Sequence, residues 1–109
     1  MRIRQINKTP AHSVYADLGL PDAEGMAVKA RLVTEIADLI RRQELSQTEA
    51  AKLFAMPQPK LSNILRGQFR GVSERRLMDC LTRLGRDVQI VVKPSPKSRP
   101  VGRVTVALA

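Results

Sequence analysis

The sequence predicts a mainly α-helical bundle that ends in a β-strand. Three observations predict it. Apolar residues recur at helical spacing between about 22 and 84. Within that span, Leu45 to Gly67 reads LSQTEAAKLFAMPQPKLSNILRG, two short helices with a tight break between them. Beyond Gly85 the period changes, and Val88, Ile90 and Val92 alternate with Gln89, Val91 and Lys93.

Residues 1–20 are expected to form an N-terminal arm, with Arg2 and Arg4 early and the partly apolar VYADLGL later. A domain spanning 21–85 follows. Pro21 suits a first helical turn, and Asp22 and Glu24 suit its positive end. Val28, Leu32, Ile36, Leu39 and Ile40 then mark a helix over about 22–43. Gly25 weakens its first turns by about 1 kcal/mol relative to Ala. Ser46-Gln47-Thr48-Glu49 is a capping box that starts a helix over about 47–54. Ala50, Leu53 and Phe54 are placed inward, and Ala51 is small enough for a close helix crossing.

Ala55-Met56-Pro57 is the break, with Met56 placed to plug the gap. A third helix covers about 58–66, with Leu61, Ile64 and Leu65 inward and Gly67 as its C′ residue. Pro59 disfavours the helical conformation at Gln58, so a start at Pro59 with Gln58 as cap is the alternative. After the loop Gln68–Gly71, Ser73 caps a helix over about 74–84, with Leu77, Leu81 and Leu84 inward and Gly85 ending it. Residues 86–93 are expected to be the strand. Residues 94–109 form a Pro-rich, basic tail with a second short strand at Val104–Leu108. A lone strand leaves backbone groups unpaired. It must pair with the tail, a symmetry mate or another protein, and dimerisation is the most economical choice.

The chain has 109 residues, room for one domain with tails. Aromatic content is 3%, so the core must be aliphatic and stacking platforms for single-stranded nucleic acid are disfavoured. Lys and Arg total 19 against 10 Asp and Glu, giving a net charge of +9. That balance favours an anionic partner: nucleic acid, an acidic membrane surface or an acidic protein. Solubility alone is the plain alternative. The single Cys80 excludes an internal disulfide, and the single His12 excludes a Cys/His zinc site of usual spacing. The start MRIRQINKTPAH lacks the apolar core of a signal peptide, and no apolar run is long enough to span a membrane. A protein of the reducing cytoplasm, with no cofactor and no membrane partner, is expected.

A helix-turn-helix binds DNA by bracing one helix across the backbone and laying the next in the major groove. Planar donor–acceptor side chains near the start of the second helix read base edges there. Gln58 and Asn63 supply them, each able to pair with adenine, and Pro59 offers apolar contact to a thymine methyl. Lys60, Ser62 and Arg66 suit phosphates or neighbouring bases. Gln47, at the start of the bracing helix, can meet a phosphate together with the helix amides. Arg66, Arg70, Arg75 and Arg76 cluster after the reading helix and suit the DNA backbone.

Gln47 to Arg66 resembles the helix-turn-helix of the Cro/lambda-repressor, or XRE, superfamily. Gln47 first in the bracing helix, Ala51 at the crossing, Met56 in the turn, and Leu61 and Ile64 inward carry the resemblance. It implies a lambda-repressor-like bundle with base contacts from the first, second and sixth positions of the reading helix: Gln58, Pro59 and Asn63. Two positions depart from it. Ala55 stands where glycine is usual, and Pro57 where Ser, Thr or Asp usually caps. The stretches VYADLGLPDAE, LSQTEAAKLF, QPKLSNILRGQF and SERRLMDCLTRLGRDVQIVV are similar to HigA-like bacterial antitoxins. That resemblance implies a homodimer that represses its own operon from the nucleoid and neutralises a HigB/RelE-like ribonuclease toxin. The tail from Pro94 lies outside it.

Other chemistry-bearing residues have plainer roles. Glu49 is explained by the capping box, and Glu35 and Asp38 have no histidine partner. Cys80 falls on an inward face and reads as a buried structural thiol, and His12 as a solvated side chain. No metal cluster, phosphate loop or nucleophile–base pair is visible, so no enzyme is expected. The expected function is a sequence-specific double-stranded DNA-binding repressor on a palindromic operator. The alternatives are a module that inhibits a partner enzyme, or a stand-alone regulator.

Overall fold

A computed structural model describes residues 20–109. The expected N-terminal arm, with His12 and Tyr15, lies outside the described residues except at its end. Four helices are described: α1 (Leu20–Arg42), α2 (Gln47–Leu53), α3 (Gln58–Leu65) and α4 (Glu74–Arg83). Each agrees with its expected span to within two residues. Boundaries this local follow from caps and periodicity, which act within one or two turns.

All four helices end the same way. The amide of the third residue past each helix end reaches back to a carbonyl five residues earlier, and its predecessor to one three residues earlier. The pairs are Leu45 to Ile40 and Glu44 to Arg41, Met56 to Ala51 and Ala55 to Lys52, Gln68 to Asn63 and Gly67 to Ile64, and Arg86 to Leu81 and Gly85 to Thr82. This is the Schellman termination, and it needs a left-handed residue at C′. Gly67 (φ 101°) and Gly85 (φ 89°) supply it freely, whereas Glu44 (φ 57°) and Ala55 (φ 55°) do so against a Cβ. The sequence located the glycine stops, and the structure adds two strained ones.

The core is aliphatic around two rings, Phe54 and Phe69. Phe54, Ile36, Leu39, Leu61, Ile64, Leu77 and Cys80 are its largest fully buried side chains. Phe69 and Val72 anchor the α3–α4 loop into it, and Met56 plugs the turn as expected. Leu53 corrects the sequence reading, because it is 40% exposed. Ala50, Ala51 and Phe54 set the buried stripe of α2, and Leu53 falls about 100° from its centre at roughly 3.6 residues per turn.

Long α1 backs the helical pair and packs chiefly on α4. Lys29 Nζ donates to the Arg70 carbonyl at 2.8 Å, and Gln43 Nε2 to the Leu84 carbonyl at 2.9 Å, so both ends of that contact are tied. At the end of α1, Asp38 accepts from Arg41 and Arg42 together. The Arg42 hydrogen bond holds the Asp38 carboxyl below its ordinary range.

The expected C-terminal strand is not formed: among the described residues no β-strand occurs. Residues 86–93 and 104–108 form no regular secondary structure. A strand needs a partner for alternate amides and carbonyls, and Pro94, Pro96 and Pro100 cannot donate across a pair. The segment instead turns back on itself, with the Arg99 amide on the Pro96 carbonyl at 3.0 Å. It returns to α1, where the Val104 amide donates to Glu24 Oε2 at 3.2 Å and Val106 packs against the core.

Candidate nucleic-acid interface

The pair α2–α3 is positioned from three directions. The Ser46 hydroxyl accepts from the Glu49 amide at 3.0 Å, and Glu49 Oε1 accepts from the Ser46 amide at 2.8 Å. That reciprocal cap fixes the start of α2, and the Ser46 amide is the largest reason the Glu49 carboxyl sits below its ordinary range. At the other end, two arginines of α4 cap the last carbonyls. Arg76 Nη2 donates to the Phe54 carbonyl, and Arg83 Nη1 to the Leu53 carbonyl at 3.1 Å. Asp79 holds both guanidiniums, from Arg76 at 2.9 Å and Arg83 at 3.0 Å. Arginines placed on helix-terminal carbonyls also oppose the negative end of the dipole. Arg76, grouped by sequence with cations facing outward, therefore turns inward. The clue was present as the spacing Arg76, Asp79, Arg83, but only the fold shows which carbonyls it meets.

α3 begins at Gln58. Pro57 is its N-cap, extended at φ −64° and ψ 144°, with no side-chain cap bond. The Pro57 carbonyl accepts from the Lys60 and Leu61 amides. Pro59 falls within the first turn, where a missing amide costs nothing.

Leu61 and Ile64 are buried, which turns the opposite face outward. At about 3.6 residues per turn that face carries Pro59, Ser62, Asn63 and Arg66. Pro59, Lys60 and Arg66 are exposed, and Ser62, Asn63 and Gln58 are half-buried. Gln58 Nε2 donates to Gln47 Oε1 at 2.8 Å, so the first residues of α2 and α3 are paired across the turn. Arg66 donates to Asn63 Oδ1, one helical turn back. The structure thus brings Gln47, Gln58, Pro59, Ser62, Asn63 and Arg66 onto one surface of the helical pair. Arg70 is exposed on the following loop, where its carbonyl fastens Lys29. Among the described residues no group of His, Cys, Asp and Glu could hold a metal ion. Cys80 is buried, and desolvation pushes its thiol up from its ordinary pKa.

A bracing helix, a tight turn and a second helix with an outward polar face form the helix-turn-helix arrangement. Residues 14–93 match the family described as a helix-turn-helix domain. The chain belongs to that family. The helix-turn-helix assignment is matched in three dimensions by a solved structure assigned provisionally to the XRE family of transcriptional regulators. The two are 39% identical with a TM-score of 0.76, over 82% of this chain and 100% of that one. Comparison with curated protein sequences gives no significant match. The described residues include no helix long and apolar enough to cross a membrane.

Proposed function

We propose that this helix-turn-helix protein is a sequence-specific, double-stranded DNA-binding transcriptional repressor. The observation that carries the proposal is the outward face of α3, seated by the Gln47–Gln58 hydrogen bond. Gln58 keeps its own carbonyl and one amide hydrogen free after that bond. Those two groups match N6 and N7 of adenine, and Gln47 keeps an amide for a phosphate. Asn63 serves as a base contact together with Arg66. Its carbonyl already accepts from Arg66, so the Asn63–Arg66 pair offers mainly N–H donors. Donors suit N7 and O6 of guanine better than the mixed pattern of adenine. Pro59 meets a thymine methyl, and Lys60, Ser62, Arg66 and Arg70 contact the backbone or adjacent bases.

A repressor of this kind acts as a dimer with its α3 helices about 34 Å apart, or a multiple of that, over a palindromic operator. The run Ile90, Val91 and Val92, exposed by 76, 73 and 92%, supports a self-association surface. The test is binding to the region upstream of its own gene against random duplex at physiological salt. Preference for the upstream region is expected, and equal affinity would end the repressor assignment. The resemblance to HigA-like antitoxins supports a second role, inhibition of a HigB/RelE-like toxin. Co-expression with the neighbouring open reading frame would show it as a stable complex, and a lone regulator otherwise.

A further inference from the structure

The tail beyond the helical bundle carries a feature that the helix-turn-helix does not use. From Val88 to Ala109 the chain has four basic residues, Lys93, Lys97, Arg99 and Arg103, and no acidic one. The turn at Pro96–Arg99 folds this stretch into two limbs. A Cβ built on Gly102 would stand 3.8 Å from that of Ser95, so the limbs close on each other. Between them lies an open cleft of about 490 Å³, lined by Lys93, Ser95, Arg99, Gly102, Arg103 and Thr105 among others. Its returning limb is tied down through Val104 to Glu24 and through Val106 to the core. Among the described residues, Lys93, Arg99 and Arg103 have no carboxylate within salt-bridge distance.

We propose that this cleft is a second nucleic-acid contact, which grips the sugar–phosphate backbone of the duplex engaged by α3. It rests on the DNA-binding assignment made above. Three cations lining one cleft, none in a salt bridge among the described residues, repel one another and gain from a shared anion. Guanidinium forks and hydroxyls are the groups that contact phosphate oxygens. The lining offers no large apolar socket of the kind that anchors a peptide side chain, so an acidic peptide fits less well. Pro94, Pro96 and Pro100 restrict the limbs before binding, which lowers the entropy lost on contact. The cleft does not read sequence. It adds affinity and salt dependence to whatever α3 selects.

The test uses the full chain and its triple variant Lys93→Gln, Arg99→Gln, Arg103→Gln. Binding is measured to the upstream duplex and to a random duplex across a salt series. Three lost phosphate contacts reduce the magnitude of the negative slope of log K against log salt by about 2.7. The expected result is that fall on both duplexes, a similar affinity loss for each and an unchanged ratio between them. A charge-keeping variant, Lys93→Arg with Arg99→Lys and Arg103→Lys, is expected to retain the slope. An unchanged slope in the Gln variant, with native far-UV circular dichroism, overturns the proposal. Selective loss on the upstream duplex overturns it too, since the cleft would then be reading bases. Tighter binding of poly-glutamate than of random duplex, lost in the same variant, assigns the cleft to acidic protein instead. The random duplex keeps the two assignments separable: the slope can fall there even if the wild type shows no sequence preference.

Discussion

Replacing Ala55 with Gly is expected to stabilise the protein, although it removes a side chain. Ala55 is the C′ residue of α2 and sits at φ 55°. Its amide bonds Lys52, and the next amide, Met56, bonds Ala51, so the turn cannot relax without breaking the termination. A left-handed conformation costs an L-residue roughly 1–2 kcal/mol. Glycine removes that cost but gives back roughly 0.4–1 kcal/mol through the freer unfolded chain. The Ala55 methyl is exposed, so little apolar burial is lost. The net gain is about 0.5–1 kcal/mol, a rise in Tm of a few degrees for a domain of this size. The chain has no tryptophan, so urea unfolding followed by far-UV circular dichroism at 222 nm is the appropriate assay. The midpoint should rise with m unchanged. Gly67→Ala, at φ 101° with open space around the added Cβ, is the mirror control and should lose about 0.5–1 kcal/mol by the same balance. A less stable Ala55→Gly, at constant m, would refute the claim that strain is stored in this turn.

Gly25→Ala should stabilise α1 by up to about 1 kcal/mol. A Cβ there meets only Glu74 Oε2, at 3.7 Å, so nothing must move; a lower Tm would show hidden crowding. Arg76→Met should lose about 1–2 kcal/mol, because the Phe54 carbonyl loses its donor. Arg75→Met, exposed on the same helix, should be neutral, and equal losses would deny the inward brace. Asp38 and Glu49 both have lowered carboxyl pKa values, Asp38 chiefly from Arg42 and Glu49 chiefly from the Ser46 amide. Their contribution is complete above the ordinary carboxylate range and is lost as pH falls through the lowered folded values. The urea midpoint should therefore drop as pH falls below about 5, less steeply in Glu49→Gln. An identical pH profile in that variant would remove Glu49 from the linkage. Asn63→Ala should lose about 1–3 kcal/mol of sequence discrimination with little change in salt slope. A uniform loss on all duplexes would make Asn63 a backbone contact.

Much of the helical pair could be read from residues alone. Ser46 and Glu49 lie three apart, and Gly67 and Gly85 stand one residue past helix caps. Leu61 and Ile64 likewise keep helical spacing and are buried. Such signals are local, so a window of a few residues contains their cause. Three readings failed for the opposite reason. Leu53 looked like core, but the stripe of a seven-residue helix is set by its neighbours Ala50 and Phe54. Arg76 looked like part of a DNA-facing cluster, but its acceptor is a carbonyl 22 residues away. The alternation at 88–92 looked like a strand, but a strand exists only with a partner and none pairs with it among the described residues.

The sequence by itself determined where helices start and stop, that the core is aliphatic, and that the second short helix turns Pro59, Ser62, Asn63 and Arg66 outward. Those properties depend on spacing and on side-chain chemistry. Only the tertiary structure decided how that face is armed. It pairs Gln58 with Gln47 across the turn. It sends Arg76 and Arg83 to cap α2 and folds the basic tail back to Glu24. A hydrogen bond needs its two partners within about 3 Å. For residues 11, 22, 30 or 80 positions apart, that distance is fixed by packing and not by the order of residues.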